Sequence, residues 1–184
     1  FPPGPAGDPI AHWAEQLTKE LRLGAQILTD HNITPPAANT VFFGGGTPSL
    51  LGRQLPKILD VVRECFGIAP GAEITSEANP ESTSPELFDC WRAGGVNRLS
   101  LGMQSSEPRV LALLDRQHDP ARAVAAIEEA QAAGFEHLNL DLIYGTPGET
   151  TDDVARSVDT VLATGVDHVS AYALTIEPLS LIHI

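Results

Sequence analysis

The sequence predicts an α/β chain in which about five parallel strands and about five helices alternate to form a partial, open β/α barrel. The first observation behind this is the alternation itself, with β-rich runs of four to nine residues separating stretches of helical spacing. The second is a repeat: Gly95-Val-Asn-Arg-Leu-Ser100, Gly134-Phe-Glu-His-Leu-Asn139 and Gly165-Val-Asp-His-Val-Ser170 share one pattern, 39 and 31 residues apart. Each glycine follows a helical stretch and leads into a strand, where the left-handed position after a helix suits it. The third is side-chain parity, since alternate strand residues face opposite sides. Leu99, Leu101 and Met103 share a face, as do Leu138, Leu140 and Leu142, and this face belongs under the helices. Arg98, Ser100, Gly102, Gln104, His137, Asn139, Asp141, Thr75 and Glu77 fall on the other. A sheet buried between two helix layers needs both faces apolar, so one polar face favours a barrel wall over a doubly wound sheet. Five strands are too few to close it.

In chain order, Ile10, Trp13, Ala14, Leu17 and Leu21 give the first amphipathic helix, and Leu55, Ile58, Leu59, Val62 and Phe66 the second, after Pro48-Ser49. Leu87, Cys90 and Trp91 give a third. Val110–Leu114 with Val124, Ile127 and Ala130 reads as one broken fourth helix, and Val154, Val158, Val161 and Leu162 as a fifth. The strands between them are Thr40–Phe43, Glu73–Glu77, Arg98–Gln104, His137–Tyr144 and His168–Ile176.

Eleven Lys and Arg against 24 Asp and Glu leave a net charge of −13, which argues against nucleic acid as a partner of the general surface. Two cysteines, Cys65 and Cys90, stand 25 positions apart and form neither a disulfide framework nor a metal-ligand pair; both are expected as packing thiols on buried helix faces of a cytoplasmic protein. No apolar run reaches the roughly 20 residues of a membrane span. Residues 1–9 read as a linker or cut edge, because the chain opens on Phe1 and a Pro/Gly string without signal-peptide character.

Sites in parallel β/α folds lie at the carboxyl ends of the strands. Here those ends are Gly44-Gly-Gly-Thr-Pro48, Glu77-Ala-Asn-Pro80, Gln104-Ser-Ser106 and Asp141-Leu-Ile-Tyr-Gly-Thr-Pro-Gly-Glu149. The triple glycine admits a ligand close to the main chain, and the helix expected after it would offer free N–H groups, although neither a Walker loop nor G-x-G-x-x-G is present. Glu77 and Asp141 suit either acid/base work or closure of the rim, and Arg116 could pair a ligand carboxylate bidentately. His137 and His168 occupy equivalent repeat positions at strand starts and read as structural. No nucleophile stands beside a base, so no catalytic residue is assigned.

Val41-Phe-Phe-Gly-Gly-Gly-Thr-Pro-Ser49, Glu73-Ile-Thr-Ser-Glu-Ala-Asn-Pro80, Gly95–Gln104, Asn139–Glu149 and Ser170-Ala-Tyr-Ala-Leu-Thr-Ile-Glu-Pro178 together resemble the radical S-adenosylmethionine (SAM) proteins related to anaerobic coproporphyrinogen III dehydrogenase, and most of all their heme chaperone branch. The resemblance runs through residues 10–178, expected as part of a radical SAM core; the tail 179–184 departs from it. It implies that Gly45, Gly46 and Thr47 hold the methionine end of SAM, that Glu77 meets its ammonium and Arg116 its carboxylate. Gln104 and Asp141 then face ribose hydroxyls, and Thr175 contacts the ligand through its backbone.

The family's C-x3-C-x2-C, which binds a [4Fe–4S] cluster, is missing from these 184 residues, so the chain alone is expected to lack radical chemistry and is assigned no metal ligand. For the intact protein the resemblance implies SAM, a [4Fe–4S] cluster, and heme or a porphyrinogen, with heme-acceptor proteins as partners. Thr-Ile-Glu-Pro and Glu-Ala-Asn-Pro favour a heme chaperone; a coproporphyrinogen III oxidase and a cluster-free SAM-binding domain remain the alternatives. Oligomeric state is not legible.

Overall fold

Five strands, β1 (Ala38–Phe43), β2 (Ile68–Ala78), β3 (Arg98–Gln104), β4 (His137–Tyr144) and β5 (His168–Ala173), form one sheet whose spatial order is the chain order. Every neighbouring pair is parallel. A doubly wound sheet reverses its order at a switch point; here the order never reverses, and the sheet is an open half-barrel. The structure, a computed structural model, describes residues 8–116 and 119–175. The linker reading of Phe1–Gly7, the Ile176–Pro178 end of the last motif and the divergent tail lie outside the described residues.

Six α-helices are present among those residues: α1 (Pro9–Asp30), α2 (Gln54–Phe66), α3 (Pro85–Gly94), α4 (Pro108–Leu113), α5 (Pro120–Ala132) and α6 (Thr151–Ala163). The expected broken fourth helix is two helices. Asp115 at φ 53° ends the first, and Pro120 opens the second behind Asp119, whose carboxylate accepts the Ala121 N–H at 3.0 Å. β2 starts at Ile68, five residues before the expected Glu73, and β5 stops at Ala173, short of Ile176.

Parity is realised as expected. Leu99, Leu101, Met103, Leu138, Leu140 and Leu142 are buried under α2, α3, α5 and α6, sharing a core with Leu55, Leu59, Phe88, Trp91, Ile127 and Val161. The repeat also acquires a physical reason. Gly95, Gly134 and Gly165 have φ of 106°, 86° and 73°, the left-handed turn that lets each strand follow its helix at once. Two residues past Gly95, the Asn97 side chain accepts the Ile74 N–H at 2.8 Å and donates to Ala72 O at 2.9 Å. Two residues past Gly165, Asp167 accepts the Leu138 N–H at 2.8 Å and bonds the His137 ring at 2.8 Å. In the first and third repeats the third position thus ties the new strand to the preceding one, and His137 serves the second of these ties.

Two expectations about burial need correction. Cys65 and Cys90 are half-buried rather than buried, because they sit at the edges of the α2 and α3 apolar faces. The apolar stripe of α1 is only partly covered: Ala14 is buried, whereas Trp13 is 44% exposed over an apolar groove of about 590 Å³ between α1, β1 and the segment that follows.

Candidate functional site

The carboxyl ends of β1 to β5 surround a cavity of about 260 Å³ on the concave face. Its walls include Gly46, Thr47, Glu77, Gln104, Arg116 and Asp141, so six residues singled out from the sequence meet there. Gly45 lies beside it and donates its N–H to Glu77 Oε2 at 3.1 Å. Thr175 is exposed beyond the end of β5 and is not among the lining residues.

The glycine loop is shaped by close approach. A Cβ on Gly44 would stand 2.3 Å from the Phe42 ring and 3.3 Å from Glu77 Oε1, so glycine lets both the ring and the Glu77 carboxylate lie close against this turn. Gly45 and Gly46 have φ of 79° and 58°. The helix expected to follow is a single 3₁₀ turn, Pro48–Leu51; Pro48 brings no N–H, so the loop offers its own amides rather than the start of an α-helix. The neighbouring loop is held to it by Ser49, whose Oγ accepts the Asn79 N–H at 3.0 Å and bonds Ser82 Oγ at 2.5 Å. From the far side Arg122 of α5 donates to Pro80 O and Thr83 Oγ1, both at 3.0 Å, while Glu129 holds its guanidinium with two 2.7 Å bonds.

Asp141 stands in a polar row across β3, β4 and β5. Ser100 Oγ lies 3.2 and 3.1 Å from its two oxygens, Asn139 Nδ2 donates to its Oδ1 and to Ser100 Oγ at 2.7 Å, and Ser170 donates to Asn139 Oδ1 at 3.2 Å. The carboxylate is thereby oriented with acceptor capacity left over for a ligand hydroxyl. No hydrogen bond links it to Glu77 among the described residues.

Gln104 ends β3 after a register shift from Gly102 and has φ 67°, left-handed for a residue with a side chain. It is 9% exposed, and its amide has no hydrogen-bond partner among the described residues. Gly102 makes room for it, since a Cβ there would come within 2.6 Å of Gln104 Nε2. Arg116 is exposed, has no ion pair among the described residues, and lines the cavity from the segment after α4. Tyr172 was missed by sequence reasoning: it is 57% exposed and lines the cavity. Its parity with Ser170 on β5 was the signal available.

The molecule is thus a parallel half-barrel with a polar concave face and a strand-end cavity ringed by a carboxylate, a guanidinium and a glycine turn. The comparisons give that class a family. Residues 25–161 match the profile of the Radical SAM superfamily, and the chain belongs to that superfamily. It is 58% identical over 166 residues to the heme chaperone HemW of Mycobacterium tuberculosis and 36% identical over 174 residues to HemW of Bacillus subtilis. Those matches cover 90% and 92% of this chain but 41% and 44% of the relatives, so the chain spans less than half their length. Among solved structures it is similar to the coproporphyrinogen III oxidase HemN of Escherichia coli, a radical SAM enzyme, with TM-score 0.79 and 30% identity over 91% of this chain and 38% of that one.

The residues present fit one implied group and not the other. The unpartnered Gln104 amide, the free Arg116 and the cradle under Gly44 suit SAM. A cluster does not fit: the only two cysteines of the 184 residues sit on α2 and α3, behind the sheet, and no group of three metal-ligating side chains occurs among the described residues. No helix among them is long and apolar enough to cross a membrane.

Proposed function

We propose that this chain is the SAM-holding part of a heme chaperone. The observation that carries the reading is the meeting of Glu77, Arg116, Gln104 and Asp141 in one cavity beside the Gly45–Thr47 turn. An amino acid end has opposite charges on adjacent groups; Glu77 takes the ammonium, Arg116 pairs the carboxylate bidentately, and Gln104 and Asp141 take the ribose hydroxyls. Bound SAM supplies an adenosyl group and a sulfonium; what this chain does is orient it, through the backbone of the Gly45–Thr47 turn, whose Gly45 N–H holds Glu77, at one end and the Ser100–Asn139–Asp141 row at the other. Thr175 contributes backbone only. The intact protein holds a [4Fe–4S] cluster on residues other than these, binds heme, and passes it to acceptor proteins in the cytoplasm. The similarity to the two HemW relatives supports this.

A second reading, oxidation of coproporphyrinogen III, draws support from the structural likeness to HemN. The two separate in one experiment on the full-length gene product, purified and reconstituted without oxygen. A chaperone binds SAM and heme, loses SAM affinity on Glu77→Gln, transfers heme to an acceptor protein, and yields no protoporphyrinogen from coproporphyrinogen III. Porphyrinogen turnover overturns the chaperone reading in favour of the oxidase, and SAM affinity unaffected by Glu77→Gln overturns the pocket assignment for both.

A further inference from the structure

We infer that Ser157, on α6 and outside the cavity, is a positioning residue that aims Gln104 at the ligand. The inference rests on the SAM pocket proposed above and adds a residue to it. Gln104 occupies a left-handed backbone conformation that is unfavourable for a residue with a side chain, so something must over-determine it. The next two residues show what does. Ser105 is 1% exposed; its N–H donates to Met103 O at 2.8 Å, and its Oγ accepts the Glu107 N–H at 3.1 Å. Ser157 Oγ, 4% exposed, accepts the Ser106 N–H at 2.9 Å and bonds the hydroxyls of Ser106 at 3.1 Å and Ser105 at 3.3 Å. One hydroxyl from a helix more than 50 residues away thus collects the whole turn that Gln104 opens.

One turn earlier on α6, Asp153 adds a second anchor. Its carboxylate pairs with Arg109 of α4, whose other Nη donates to Gly148 O at 2.8 Å, and with Arg156, which in turn holds Glu107 at 2.6 Å. The β3–α4 connection is therefore pinned at Ser105, Ser106, Glu107 and Arg109, leaving Gln104 and Arg116 at either end directed to the cavity. Ser157 makes none of the cavity lining itself. Removing its hydroxyl leaves the core intact and frees the turn, so Gln104 relaxes out of the left-handed region and its amide loses its aim.

The test is a double-mutant cycle on the full-length gene product with SAM as the probe, combined with hydrogen exchange of the peptide spanning residues 103–111. Ser157→Ala is expected to weaken SAM binding about 3- to 10-fold, the worth of one oriented hydrogen bond, and to speed exchange in that peptide selectively. In a Gln104→Ala background the same substitution is expected to have no further effect on affinity. An equal loss in both backgrounds overturns the proposal, because Ser157 then acts through the fold and not through Gln104. Unchanged affinity for Ser157→Ala alongside a loss for Gln104→Ala also overturns it. If neither Gln104→Ala nor Glu77→Gln alters SAM affinity, the pocket reading falls instead, and the two failures are told apart.

Discussion

The two walls of the cavity are built on different plans. The Glu77 wall uses neighbours: Gly45 donates directly to Glu77, and Ser49 bonds the loop of the adjacent strand. The Gln104 wall uses distance: a strained strand end is held by Ser157, Asp153 and Arg156 of α6, beyond β4. A wall of glycines and a strand-end carboxylate sets its turn through close approach, and Arg122 of α5 braces only the loop that follows Glu77. A wall that must keep a glutamine left-handed needs partners from another β/α unit.

The largest way to break this comparison is to remove the support of the Glu77 wall from below. Trp91 is fully buried in the core and its indole N–H donates to Gly52 O at 2.9 Å, just past the 3₁₀ turn that follows the glycine loop. Trp91→Ala should cost about 3–5 kcal/mol through the cavity it leaves, measurable as a lower denaturant midpoint. Trp91→Phe restores most of the volume but leaves Gly52 O unpaired, and should fall between the two.

Next in size are the charged contacts. Glu77→Gln and Arg116→Ala should each weaken SAM binding by about 1.5–3 kcal/mol, roughly 10- to 150-fold, in a titration of the full-length protein. Their stability costs should differ. Glu77 accepts the Gly45 N–H, so its loss loosens the turn, whereas Arg116 has no partner among the described residues and its loss should leave the unfolding midpoint unchanged. Equal stability costs would remove the distinction between a residue that builds the wall and one that only waits for a ligand.

How far the sequence could be read follows the same division. Strand order, the polar face and the strand-end residues were legible because parity and the glycine repeat are local patterns. Glu77, Asp141 and Gln104 are strand-end residues and Arg116 follows a short helix, so all four could be singled out from residues alone. Tyr172 was overlooked although Ser170 had fixed its side. The α6 anchor was only half legible: Asp153 is marked locally by its capping box with Thr150, whereas nothing local distinguishes Ser157 from a solvent-facing residue. Their burial, at 2% and 4% exposed, comes from the approach of the β3–α4 turn. The split of the fourth helix was legible in principle at Asp119-Pro120, a cap followed by a first-turn proline.

A smaller effect sharpens the strain argument. Gln104→Gly relieves a left-handed backbone costing about 1–2 kcal/mol but returns part of it as unfolded-chain entropy, so the native state should gain up to about 1 kcal/mol. SAM affinity should fall in the same variant. Higher stability with weaker binding is the mark of strain kept for a ligand; lower stability would mean that the Gln104 side chain supports the fold.

The last effect is read through its pH dependence and concerns the second anchor. The hydrogen bonds that Asp153 accepts from the Thr150 hydroxyl and N–H, both 2.6 Å, and then the Arg109 guanidinium bring its carboxyl from the ordinary 3.8 down to about 2. Arg156, Glu107 and Asp152 complete the charges around it. A group lowered in the folded state lends stability that is fully present above its unfolded value and is lost as pH falls through the folded one. Urea unfolding of the natural chain and of Asp153→Asn should therefore differ by a constant amount from pH 8 to about 4, with the gap narrowing from about 4 toward 2. Because every other titrating group is common to both proteins, the narrowing reports the α6 anchor alone. A gap that already shrinks near pH 6 would place the carboxyl outside this network and leave Ser157 as the one hold on the Gln104 wall.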